Sequence, residues 1–124
     1  MSSSTVTSWV WLAQSQPTYF ILAALQDGPL HGYAVMSRAE DLSRGRVRLA
    51  TGTLYAALDR LDGEGLVEVV DEQVVNGRAR RYYGLTSDGL AALRAEAERM
   101  AEAARVVTDR LAPRRSARGK VAPA

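Results

Sequence analysis

Cysteine is absent from these 124 residues, and histidine occurs once, at His31. The first absence excludes disulfides, thiolate metal sites and cysteine nucleophiles, and it suits a reducing compartment. The second leaves a metal centre or a Ser–His relay short of parts. Aromatic residues make up only 6% of the chain. No apolar run approaches the roughly 18 residues that a bilayer-spanning helix needs, and no basic-then-apolar leader is visible. The expectation is a cytoplasmic protein without a membrane partner. A Gly-rich phosphate loop, metal-ligand spacing and a nucleophile–base pair are all missing. An enzyme is therefore the weakest reading, with no catalytic residues, metal or cofactor expected.

Net charge is also scarce, at +2. Arg114, Arg115, Arg118 and Lys120 supply +4 in the last dozen residues, where no acid stands, so the remainder sits at −2. Any polyanion must then meet local patches. Two exist: Arg44, Arg46 and Arg48, and further on Arg78, Arg80 and Arg81. With 47% hydrophobic and 24% charged residues, the composition is that of one globular domain.

The most informative stretch is Thr51–Leu66 (TGTLYAALDRLDGEGL). Leu54, Ala57, Leu58 and Leu61 recur at helical spacing and predict a buried stripe, while Thr53, Tyr55, Asp59 and Arg60 fall outside it. Thr51 or Thr53 is the expected cap, and Gly63 and Gly65 the stop. A capped helix bearing hydroxyls and a tyrosine, followed at once by a hairpin, suits the DNA major groove; an ordinary amphipathic helix is the plain alternative.

Ahead of it, helices are expected over Pro17–Gln26 and about His31–Ser43, with Phe20, Ile21, Ala24, Leu25, Val35, Met36, Ala39 and Leu42 facing inward. Arg46–Leu49 alternates charged and apolar residues, a short strand signal. His31 is expected to cap or pack rather than to titrate. Beyond the central helix, Leu66–Val75 and Arg78–Leu85 flank Asn76-Gly77, a strong two-residue hairpin signal. That turn sets Val75 opposite Arg78, Glu72 opposite Arg81 and Val70 opposite Tyr83. Arg81 thereby gains a carboxylate, whereas Arg78 and Arg80 project unneutralised.

Thr86-Ser87-Asp88-Gly89 caps a last helix expected to end near Leu111, before Pro113. Leu90, Leu93, Ala97, Met100, Ala104, Val107 and Leu111 are spaced 3, 4, 3, 4, 3, 4, a heptad seam. A helix of roughly 25 residues is about 38 Å long, so the seam calls for a second copy of the chain. The expected organisation is an N-terminal arm over 1–16, a winged helix over 17–85, a dimerisation helix over 86–111 and a basic disordered tail over 112–124.

Three blocks in series, YFILAALQDGPLHGY (Tyr19–Tyr33), TGTLYAALDRLDGEGLVE (Thr51–Glu68) and GRARRYYGLTSDG (Gly77–Gly89), resemble the PadR family of bacterial transcriptional regulators. The resemblance covers roughly residues 17 to 111. It implies a mostly α winged helix-turn-helix fold with a small β-hairpin wing and a long C-terminal dimerisation helix. The implied function is a homodimeric repressor of a pseudo-palindromic operator in double-stranded DNA, released by a small effector or signal. By motif, Thr51, Thr53 and Tyr55 stand at the groove, Tyr33 near the phosphates, and Arg78 and Arg80 on the wing. Family members often carry proline after the LY of the second block; this chain has Ala56. Some members bind flat hydrophobic drugs between tryptophans of the last helix, which here has none. Trp9 and Trp11 are the candidate effector residues in their place, with plain packing the stronger alternative. A winged helix serving only protein–protein contact is the competing function.

Overall fold

The computed structural model describes residues 16–121, with side chains as far as residue 110. Trp9 and Trp11, and with them the effector expectation, lie outside the described residues. The elements run α1 (Gln16–Ala24), β1 (Leu30–His31), α2 (Gly32–Leu42), α3 (Thr51–Gly63), β2 (Val67–Val75), β3 (Arg78–Leu85) and α4 (Ser87–Val121). The strands form one antiparallel sheet in the order β1-β3-β2. The described residues up to Arg94 and those from Ala95 onward form separate compact units.

The core of the first unit gathers one stripe from each helix around α1. Ile21 to Leu25 are all buried, so α1 is covered on nearly every side, where a single stripe had been expected. Val35 and Ala39 come from α2, Leu54, Leu58 and Leu61 from α3, Val67 and Tyr83 from the sheet, and Ala92 and Leu93 from α4. Leu42, expected inside, is 39% exposed because it sits in the last turn of α2. There the chain reverses through Arg44 (φ 56°), with Gly45 N–H bonded to the Glu40 carbonyl and Arg44 N–H to that of Asp41.

The short strand lies elsewhere than expected. Arg46–Leu49 does not pair, because the Ser43 hydroxyl takes the Val47 N–H at 2.9 Å and Leu30–His31 already occupies the free edge of β3. The hairpin turn is as read: Asn76 (φ 53°) and Gly77 (φ 76°) both adopt the left-handed conformation that a tight two-residue turn demands. Val75 faces Arg78 and Glu72 faces Arg81, but Tyr83 pairs with Val69 rather than Val70. A bulge between Val69 and Asp71 absorbs one residue, and it sets Val70 against Gly84.

The start of α4 is stitched to the end of α3. The Thr86 hydroxyl donates to the Gly65 carbonyl at 2.6 Å and accepts the Gly89 N–H at 3.0 Å, while Thr86 N–H donates to the Leu66 carbonyl at 3.2 Å. The helix does not stop at Leu111; it continues through Pro113 to Val121, so residues 112–121 are helical rather than a disordered tail. Proline forfeits one backbone bond there, while the neighbouring Arg114, Arg115, Ala117, Arg118 and Lys120 are good helix formers. The seam also divides. Leu93 is 5% exposed and belongs to the core of the first unit, whereas Met100 and Val107 are 37% and 62% exposed. Leu90 and Ala97 are half-buried and Ala104 is exposed; Leu111 lies beyond the described side chains.

Candidate nucleic-acid interface

An open cleft of about 1010 Å³ lies between α3 and the hairpin, with the start of α2 at its rim. Tyr33, Thr51, Tyr55, Arg78 and Arg80 all line it, together with His31, Asp59, Arg81 and Tyr83. Five of the six residues expected at DNA are thus brought together. Thr53 is the exception: it is exposed on α3 but does not line the cleft. Arg44, Arg46 and Arg48 are absent from its walls too, being in the α2–α3 connection.

Two helices begin at the cleft with no side-chain cap. α2 follows His31 and α3 follows Ala50, and neither N-cap residue makes a side-chain bond to the first turn. Thr51 and Thr53 are therefore inside α3 and cannot cap it, contrary to the sequence expectation. The first-turn N–H groups of a helix have no carbonyl behind them within it. Uncapped, they carry the positive end of the helix dipole to the cleft.

The wing arginines divide as the register implies. Arg81 lies 3.6 Å from Glu72, both about half exposed. The Tyr83 hydroxyl, then Glu72, hold the Arg81 guanidinium above its usual pKa, so it is always charged. Asp71 turns to its own strand, accepting from Gln73 Nε2 at 3.0 Å and from Glu72 N–H at 2.9 Å. Arg78 and Arg80 have no salt bridge among the described residues. At the cleft floor, burial first raises the pKa of the Tyr83 phenol, and the charge of Asp59 adds to this.

Burial first, then the charge of Arg80, lowers the pKa of His31 below its ordinary 6.5; its ring stands 5.5 Å from that of Tyr82. The unfolded chain therefore binds this proton more readily, and the contribution of His31 to stability falls as pH drops through 6.5. A polyanion in the cleft would oppose Arg80 and favour the protonated ring. Affinity for such a polyanion should thus rise as pH falls through 6.5, and His31→Asn should flatten that part of the profile. Identical pH profiles for variant and parent would show that no phosphate reaches His31.

One feature of the cleft is not among those expected from the sequence. Gly32, the middle residue of the HGY run, lies directly under Tyr55: a methyl group at Gly32 would overlap the Tyr55 hydroxyl and ring. The two motifs are therefore one contact, with a glycine on α2 making room for a tyrosine on α3. The signal available was the pairing of an otherwise unexplained helical glycine with a large residue in the next helix. Gly32→Ala should push the part-exposed Tyr55 ring aside, lowering DNA affinity about tenfold at little cost in stability. Adding Tyr55→Ala to Gly32→Ala should weaken binding no further than Tyr55→Ala alone; additive losses would show that Gly32 does not act through Tyr55.

Such a surface presents guanidinium groups, hydroxyls and two helix N-termini to one cleft. The profile of the transcriptional regulator PadR-like family matches residues 21–95. Transcriptional regulator Rv3488 of Mycobacterium tuberculosis is 41% identical over 87 residues, spanning 70% of this chain and 78% of that protein. A PadR family transcription regulator from Clostridium difficile superposes with a TM-score of 0.64 at 23% identity, covering 78% of this chain and 99% of that one. Bacillus subtilis PadR in complex with operator DNA superposes with a TM-score of 0.55 at 24% identity, covering 62% of this chain and 44% of that one. These two structures bear on the fold, and the fold is that of the winged-helix regulators. With the family profile covering most of the chain, the protein belongs to the PadR-like family of transcriptional regulators, not to a family of enzymes.

Proposed function

We propose that this regulator binds a pseudo-palindromic operator as a homodimer, through α3 and the hairpin wing, and that it represses by occupying promoter DNA. One observation carries the proposal: Tyr33, Thr51, Tyr55, Arg78 and Arg80, drawn from three elements, line a single cleft. Arg78 and Arg80 suit phosphate contacts. Thr51 and Tyr55 stand in the first two turns of α3, where side chains reach base edges or phosphates. Thr53 stands on the outer flank of the same helix. The solved complex of a PadR protein with operator DNA supports the general mode. The protein-interaction alternative has less support, since a surplus of unpaired arginine in a cleft suits an anion better than a neutral surface. Relief by a small hydrophobic effector at Trp9 and Trp11 belongs to the proposal and rests on family likeness alone.

Selection from a library of randomised duplexes tests this reading. The enriched sequence should contain two inverted half-sites centred about one helical turn, or a multiple of it, apart. No enrichment, or a single half-site, would sink it. Dimerisation has its own test. Met100 and Val107 are exposed along α4, so Met100→Glu with Val107→Glu should give a folded monomer by light scattering, with binding weakened at least 100-fold. Leu93 is unsuitable for such a test because it also fills the core. A dimer that survives both charges would show that the seam is not the interface.

A further inference from the structure

The side of α3 opposite its core stripe carries a feature that the general DNA-binding reading leaves unused. At 100° per residue, the line facing away from Leu54, Leu58 and Leu61 passes through Gly52, Ala56 and Gly63, all exposed and none with a side chain beyond Cβ. Asp59 and Arg60 flank this bare strip, roughly 50° to either side, and of the two only Asp59 lines the cleft. The fold does not require the glycines, for a Cβ at Gly52 or Gly63 would meet nothing within 4 Å. Asp59 lines the cleft alongside Arg78, Arg80 and Arg81, yet it makes no salt bridge or hydrogen bond among the described residues. Arg81 is engaged by Glu72 and Tyr83.

Resting on the DNA-binding reading, we infer that Asp59 is a specificity-determining residue that selects a cytosine in each half-site of the operator. A carboxylate only accepts hydrogen bonds. In the major groove, guanine offers acceptors at O6 and N7 and thymine offers O4, so both repel it. Adenine has a donor at N6 but an acceptor beside it at N7. Cytosine presents the N4 amino group without a neighbouring acceptor, and so it matches best. The same negative charge repels phosphates and weakens binding to every other sequence. Asp59 thus lowers general affinity for DNA while raising the ratio between right and wrong sites.

Asp59→Asn tests this, because it removes the charge with almost no change in shape and adds an amide that suits adenine N6 and N7. Both proteins are taken through selection from a randomised duplex library, and affinities are then measured on the selected and on a random-sequence duplex. The variant should lose roughly 10- to 100-fold of discrimination at one base pair per half-site. Preference there should move from cytosine to adenine, and the random duplex should bind more tightly than it does to the parent. If the parent enriches a sequence and the variant returns the same preference at every position, the inference about Asp59 fails alone. If the parent enriches nothing, the DNA-binding reading fails and takes the inference with it. Matching melting temperatures show that the exposed substitution leaves the fold intact.

Discussion

Removing both unpaired wing arginines, as Arg78→Ala with Arg80→Ala, should lower the salt dependence of DNA binding more than any other pair of surface changes. Neither has a carboxylate partner among the described residues, and both line the cleft. If each meets one phosphate, a dimer loses four contacts, and the slope of log K against log salt falls by up to about 3.6. Over a fourfold change in salt, that is roughly a 150-fold smaller change in affinity. Anisotropy titrations on one duplex at several salt concentrations measure the slope directly. Arg81→Ala is the internal control, since its ion pair with Glu72 is half exposed and contributes on the order of 0.5 kcal/mol to stability. Equal slopes for the double variant and the parent would remove the wing from the interface.

The second large effect concerns the fold. Gly89 sits in the first turn of α4 with its Cα against the Leu66 carbonyl, so that a methyl group there would strike the Leu66 oxygen and crowd Leu85. Backbone cannot rotate away as a side chain can, and the Thr86 bonds to Gly65 and Leu66 leave little slack. Gly89→Ala should therefore cost about 3 kcal/mol, a fall of roughly 12 °C in Tm. The same chemical change at Gly63 should act in the opposite direction. That site is helical and open, so alanine should add up to about 1 kcal/mol. Thermal unfolding of the two variants compares them. A neutral Gly89→Ala would mean that α4 can slide on the Leu66 turn.

Some of this was legible in the sequence because single residues carry strong signals. Leu54, Leu58 and Leu61 at helical spacing set the buried side of α3, and Asn76-Gly77 set the hairpin register as far as Asp71. The bulge at Val70 was not legible, because valine fits a regular strand equally well and nothing local marks an extra residue. Two-residue β1 is too short for any periodic pattern and exists only because β3 offers an edge. Leu93 illustrates a deeper limit: a heptad spacing marks which residues are apolar on one side of a helix, but not whether core or partner covers them. The cleft residues follow from motif likeness, but their convergence depends on the packing of three elements distant in sequence. Gly32 beneath Tyr55 joins two motifs that lie more than 20 positions apart, and no local pattern connects them.

The central claim is that DNA lies against α3 and the hairpin wing, and hydroxyl-radical footprinting of the tyrosines tests it most directly. Tyr33 and Tyr55 are 70% and 41% exposed, while Tyr83 is buried, so the free protein should oxidise at the first two and spare the third. Adding the selected duplex should suppress oxidation at both Tyr33 and Tyr55 and leave Met100 of α4 unchanged relative to the free protein. Undiminished oxidation of Tyr33 and Tyr55 in a saturated complex would contradict the account.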